Sequence, residues 1–257
     1  MSDRSAIEWT DATWNPVTGC SKVSPGCAHC YAETLSLRYG WSQLPWTPDN
    51  AARNVVLHPD RMEQPLRWRR PRMVFVNSMS DLFHERVPSH FRRDVWSVMD
   101  RARRHTFQVL TKRPELMRAW VLANEDVTVP VLPNVWLGTS IENNRWVHRA
   151  DDLREAPAAV RFISAEPLLG PLDRLDLTGI DWLIVGGESG GQHRRIDAAW
   201  VRDLRDHALA AGVPFFFKQW GGRTPKAGGR LLDGRTWEEY PSTRPTDCEP
   251  ALIAVSA

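Results

Sequence analysis

At 257 residues the chain is long enough to bury a sizeable core, as one large α/β domain or two small ones. Its 42% hydrophobic and 25% charged residues exclude a fibrous or wholly disordered protein. The balance of 33 basic against 31 acidic residues, a net +2, excludes nucleic-acid binding driven by overall charge and leaves local patches to be judged individually.

In chain order, a short strand is predicted near Ala12–Asn15. It runs into TGCSKVSPGCAHCYAE, which carries three of the four cysteines, and a helix is expected to open near Ala28. Further strands are predicted at Met73–Asn77, Thr106–Leu110, Val135–Thr139, Arg161–Ala165, Trp182–Gly186 and Pro214–Lys218, all short β-branched or aromatic runs. Between them, Ser89 reads as the N-cap of a helix through Arg104, Asn143 of one through Arg154, and Asp197 of one through Ala211 that stops at Gly212. The stretch LLGPLDRLDLTGID holds too many breakers for a full helix. Beyond Trp220, the Asp233-Gly234 pair predicts a tight hairpin, expected to lid the fold. From Ser242 the sequence loses periodicity and reads as a mobile tail, with Cys248 an incidental thiol.

Continuous apolar strands are those of a parallel sheet covered on both faces. About six to seven βα units predict an α/β fold, a (β/α) barrel that is partial, over residues 1–220; an open doubly wound sheet is the other arrangement. Residues 221–241 form a hairpin extension packed on the barrel, and 242–257 the tail. In either arrangement ligands bind beyond the carboxyl ends of the strands. The residues just after each run are polar: Asn77, Ser78, Ser80 and Asp81; Thr111, Lys112 and Arg113; Ser140 and Glu142; Ser164 and Glu166; Gly187 and Glu188; Lys218 and Gln219. Six such exits predict a shared polar cavity. The arginine clusters RWRRPR and RARRH precede strands and belong on the opposite face, as helix-end cations or a phosphate-binding patch.

Cys20, Cys27 and Cys30 are spaced C-x6-C-x2-C, directly after the first strand. A two-residue gap lets two thiolates face one centre, and Pro25-Gly26 can fold Cys20 back to the same point. Three readings stand: unligated thiols, a zinc site completed by His29 or another histidine, and a 4Fe-4S cluster with one iron left open to a small molecule. Nothing near the N-terminus offers the apolar stretch of a signal peptide. No run approaches the ~18 apolar residues of a spanning helix, so the expectation is a cytoplasmic protein with no membrane partner.

The segment WTDATWNPVTGCSKVSPGCAHCYAE, with MVFVNSMSDLF, FQVLTKRP, VWLGTSIE, RFISAEPLLG, WLIVGGESG and FFFKQWGG, closely resembles the phage-associated three-cysteine-motif proteins, a family of unknown activity that looks related to radical S-adenosylmethionine (SAM) enzymes. Against the usual C-x3-C-x2-C loop of the latter, the first gap here is six residues and His29 holds the aromatic place. The resemblance implies that Cys20, Cys27 and Cys30 ligate three irons of a 4Fe-4S cluster while SAM chelates the fourth. It maps Ser78, Ser80 and Asp81 to the SAM amino group, and Ser140 and Glu142 to ribose or carboxylate. Glu166 and the Gly186-Gly187-Glu188 turn map to the nucleoside pocket. It further implies a 5′-deoxyadenosyl radical, an electron donor as partner, and an anionic substrate such as a nucleotide or nucleic acid. That substrate would meet Lys112, Arg113, Arg194 and Lys218, with Trp220 or Trp14 as a stacking wall. From a different class, the alternative is a non-catalytic module, stabilised by zinc or an iron–sulfur centre, that binds nucleic acid or protein through its arginine-rich face.

Overall fold

A computed structural model describes residues 5–122 and 131–242. Cys248 and the rest of the expected tail lie outside the described residues. Seven parallel strands form one sheet: β1 (Ala12–Trp14), β4 (Met73–Val76), β5 (Thr106–Thr111), β6 (Val135–Ser140), β7 (Val160–Ala165), β8 (Trp182–Gly186) and β9 (Phe215–Gln219). Spatial order equals chain order from β1 to β9, and the two end strands do not pair with each other. The sheet is therefore open. Each of these strands coincides with a predicted one to within one residue at either end. A separate two-stranded ribbon pairs β2 (Val17–Thr18) with β3 (Val56–Leu57), which the sequence pattern does not announce.

Helices α3 (Ser89–Arg101), α4 (Pro114–Leu122), α5 (Arg149–Glu155) and α6 (Ala198–Ala211) pack their apolar stripes on the outer face, as Val95, Val98 and Met99 do for α3 and Val201, Leu204 and Ala208 for α6. No helix joins β7 to β8, as the breakers require. Asp197 caps α6 by accepting from the Ala199 amide at 2.8 Å, and Gly212 ends it with φ +67°. The other two caps differ from expectation. Ser89 is the first residue of α3 and its hydroxyl accepts from the Trp120 indole at 3.1 Å, because extended Pro88 already sets the chain's entry. Asn143 caps a single 3-10 turn, Asn144–Trp146, before α5 begins.

The inner face is aromatic. Trp9 touches Phe75 of β4 at 4.8 Å between ring centroids, and both Phe162 of β7 and Trp182 of β8 at 6.4 Å. One side chain can reach three such separated strands only if the sheet curls around it, which makes the sheet part of a barrel. Trp136, Ile184 and Phe216 complete this inner core. Most of the chain's 13 tryptophans are thus accounted for: three fill the curl, and Trp14, Trp68, Trp96, Trp120 and Trp237 lie in the outer core.

The hairpin turn forms at Asp233-Gly234, both at positive φ, but it does not lid the curl. Instead the following residues line the outer edge of β9, where the Phe217 amide donates to the Trp237 carbonyl at 3.0 Å and the Glu239 amide to that of Phe215 at 3.2 Å. An open parallel sheet exposes that edge, and covering it removes a site for unwanted strand pairing.

The Phe162 ring lies where a Cβ on Gly138 would stand, 2.5 Å away. Gly138→Ala is therefore expected to destabilise the fold by about 1–3 kcal/mol, read as a lower denaturant midpoint, with Phe162→Leu restoring part of the loss.

Candidate functional site

At the carboxyl ends of the strands a cavity of about 490 Å³ opens, within the range of small-molecule and cofactor sites. Its lower wall is apolar, from Trp9, Phe75 and Leu110. Cys20, Cys27 and Cys30 all line it, together with Asn77, Ser140, Ser164, Glu166, Lys218 and Gln219 from four strand ends. Helix α1 (Tyr31–Arg38) begins at Tyr31 rather than near Ala28, so Cys30 occupies its N-cap position.

Three carboxylate–arginine pairs hold the cysteine loop, one beside each cysteine. Near Cys20, Asp81 follows β4 and Arg113 follows β5; they pair at 3.2 Å, both almost wholly buried. Asp81 also accepts from the Thr111 hydroxyl at 2.8 and 2.9 Å. The same guanidinium donates to the Ser21 carbonyl at 3.1 Å, to the Ser21 hydroxyl at 3.0 Å and to Cys20 Sγ at 3.6 Å. His84 completes this corner. Its Nδ1 accepts the Arg86 amide at 3.1 Å, which puts the ring proton on Nε2, 2.9 Å from the Ser21 hydroxyl. Burial and then Arg113 push the His84 pKa down, so the ring is neutral.

Near Cys27, the fully buried Glu142 accepts from the Ser24 hydroxyl at 2.5 Å and from Arg149 at 3.1 Å. Near Cys30, Glu188 accepts from His29 at 3.1 Å and is chelated by Arg194, whose guanidinium also donates to the Pro25 carbonyl at 2.9 Å. Burial disfavours the Glu188 carboxylate, but the Arg194 and His29 bonds outweigh it and hold its pKa down at about 2.

Burial disfavours the thiolate form of Cys20 and Cys30. Burial, and then the Asp81 charge, push the Cys20 pKa up to about 12 against the pull of Arg113. Burial likewise raises that of Cys30, despite the α1 amides of Glu33 and Ala32. A positively charged group binding such thiols would displace their protons. Among the described residues no three His, Cys, Asp or Glu side chains converge on a single-ion site.

Five residues lining this cavity carry a buried polar atom with no partner among the described residues: Asn77 Nδ2, Ser164 Oγ, Gln219 Oε1 and the indole Nε1 of Trp9 and of Trp46. An unsatisfied buried group costs ~1–3 kcal/mol, so these atoms call for polar ligand or solvent atoms. Asn77 is also held at φ +61°, in the left-handed region that asparagine enters more readily than most residues other than glycine. Beside these atoms Lys218 and Glu166 form an ion pair within the cavity.

The structure thus sorts the sequence-derived residues. Ser140, Glu166 and Lys218 face the cavity; Lys112 also lines it, 3.8 Å from Glu142. Ser78 and Ser80 line it while bonding Asn15 and the Val17 carbonyl. Asp81 and Glu188 reach it, and Glu142 does not, but all three carboxylates are engaged in fixing the cysteine loop. Gly186 lies under Glu166, and Gly187 packs against the Trp220 carbonyl. Two expectations are corrected. Arg113 is not a free cation for an anionic substrate, since its donors are already committed, and Arg194 does not line the cavity but turns to Glu188 and the Pro25 carbonyl. Trp220 and Trp14 are not stacking walls: neither lines the cavity, and their indoles donate to the Leu231 and Arg61 carbonyls. Ser24, Ser21, His84 and Arg149 escaped the sequence reading, because no local pattern ties them to the cysteines.

The model of one protein family, described as a protein of unknown function (DUF5131), matches residues 4–241. No curated protein and no solved structure matches the chain.

Because the folded pKa of Glu188 lies below the free-carboxylate value of 4.5, its stabilisation is complete above about pH 4.5 and is lost as pH falls toward 2. Glu188→Gln is expected to cost about 2–3 kcal/mol in urea denaturation at pH 7, with the deficit narrowing once the pH drops below that range.

Proposed function

The chain belongs to the DUF5131 family of proteins of unknown function, and from that premise we propose that it is a radical-SAM-type iron–sulfur enzyme. Cys20, Cys27 and Cys30 would hold three irons of a 4Fe-4S cluster, leaving the fourth open to S-adenosylmethionine. The observation that carries this reading is that three thiols of one short loop line a single cavity at the carboxyl ends of a parallel sheet. A cluster's irons occupy corners of a cube, so its thiolates stand farther apart than those around one ion. A centre of either kind would be built from the same three thiols on the cavity. In this reading the open sheet is the partial (β/α) barrel of radical-SAM enzymes, working in the cytoplasm.

Held by Cys20, Cys27 and Cys30, such a cluster would supply one-electron reduction of the SAM sulfonium, chemistry that would yield methionine and a 5′-deoxyadenosyl radical able to take hydrogen from substrate. The chain's own residues bind and orient. Lys218 offers its ammonium to the SAM carboxylate and Glu166 its carboxylate to the SAM amino group. Ser164, Asn77 and Gln219 present their unpartnered atoms to the remaining polar groups. Trp9, Phe75 and Leu110 keep water from the lower wall. Lys112 is a cavity-facing cation for an anionic substrate, a nucleotide or nucleic acid. Tyr39 and Trp41, more than half exposed and stacked at 5.2 Å beside Arg38, add a surface for bases just beyond α1. A separate electron donor is implied.

The alternative, a metal-stabilised binding module without catalysis, draws on exposed Arg67, Arg69 and Arg70 just before β4, at the end of the sheet away from the cavity. Neither reading involves a bilayer, and among the described residues no helix is long and apolar enough to cross a membrane.

Anaerobic purification and reconstitution with iron and sulfide separate the two. The enzyme reading predicts equal iron and sulfide in the protein, and release of 5′-deoxyadenosine when dithionite and SAM are added; Cys27→Ala is expected to abolish both. Stoichiometric zinc without iron or sulfide would favour the module. A cluster that never yields 5′-deoxyadenosine would remove the catalytic step.

A further inference from the structure

Arg113 is the most constrained cation at the cavity, and the geometry points to a role for it that is neither substrate binding nor loop anchoring alone. We infer that Arg113, aimed by Asp81 and Glu85, is a positioning residue that sets the reduction potential of the cysteine-bound centre through Cys20. The inference rests on the cluster reading above.

Every donor nitrogen of the guanidinium is engaged. Nε lies 3.3 Å from Glu85, Nη1 is shared between Asp81 at 3.2 Å and Cys20 Sγ at 3.6 Å, and Nη2 donates twice to Ser21. The side chain is 3% exposed, so water does not screen it. The N–H thus directed at Cys20 Sγ is the only hydrogen bond from a charged donor to a cysteine sulfur among the described residues. Cys27 has the Ser24 hydroxyl at 3.9 Å. Reducing an iron–sulfur centre adds one negative charge, delocalised onto its ligand sulfurs. A charge-assisted donor at one of those sulfurs stabilises the reduced form over the oxidised one and raises the potential. Asp81 makes the effect larger when Arg113 is removed, because its carboxylate is then left unpaired near the same sulfur. Both changes disfavour the added electron. Asp81 and Glu85 fix the fork so that one N–H stays on sulfur, a geometry that lysine, a flexible point charge, cannot reproduce.

The test is a redox titration of the reconstituted full-length protein, with dithionite as reductant and the reduced centre followed by electron paramagnetic resonance. Iron content and thermal midpoint are measured on the same samples. For Arg113→Gln at full iron loading, the ratio of reduced to oxidised centre at a fixed potential is expected to fall about tenfold, a midpoint lower by about 59 mV for one electron. Arg113→Lys is expected to shift in the same direction by less, and serves alone if the Gln variant does not fold. A merely structural role would change iron content or thermal stability and leave the midpoint of the loaded protein unmoved. That result, fully loaded variants titrating with wild type, would overturn the inference while leaving the cluster intact. Wild-type protein that assembles no cluster would overturn both.

Discussion

The cysteine loop cannot hold itself in place. From Gly19 to Cys30 its only apolar side chains besides proline and the cysteines are Val23 and Ala28, so hydrophobic burial does little to fix it. What fixes it is charge at the ends of the strands, buried in Asp81 with Arg113 and Glu142 with Arg149 and half-buried in Glu188 with Arg194. A buried ion pair contributes little net stability compared with apolar packing, yet removing one partner of such a pair typically costs about 3–5 kcal/mol. Each pair is also completed by the loop itself, through Ser21, Ser24 or His29. The fold and the loop are therefore mutually dependent, and each thiol stands against a rigid polar anchor rather than at the tip of a free segment.

That arrangement divides the curl along its axis. Below, aromatic rings from Trp9, Phe75, Trp136, Phe162, Trp182 and Phe216 fill the interior, as in a barrel core that is packed rather than hollow. Above, the inward positions turn polar, and several lack partners. Strong satisfaction around the loop contrasts with the orphaned atoms of Asn77, Ser164 and Gln219 inside the cavity. A folded chain tolerates such atoms where a ligand completes them, and the left-handed turn at Asn77 lies at the same place.

The seven strands were readable from sequence because a strand buried on both faces must be apolar throughout, and MVFVN, WLIVG and PFFFK admit few other readings. The site region was readable for the same reason, since polar residues directly after such strands have one place to go. The roles were not. Asp81, Glu142 and Glu188 stand just past strands exactly as Glu166 does, but the first three turn toward the loop and the last toward Lys218. That choice depends on where Arg113, Arg149 and Arg194 reach in three dimensions, which no spacing encodes. Asp233-Gly234 likewise announced its turn, while the surface it packs on, the edge of β9, followed from tertiary contacts alone.

The proposed function requires that the cavity bounded by Cys20, Cys27 and Cys30 hold a cluster with one iron open to SAM. It is tested most directly by the electron paramagnetic resonance spectrum of the anaerobically reconstituted, dithionite-reduced protein with and without SAM. A cluster signal whose shape changes when SAM is added is expected. A signal indifferent to SAM, or none from protein that retains its fold, would contradict it.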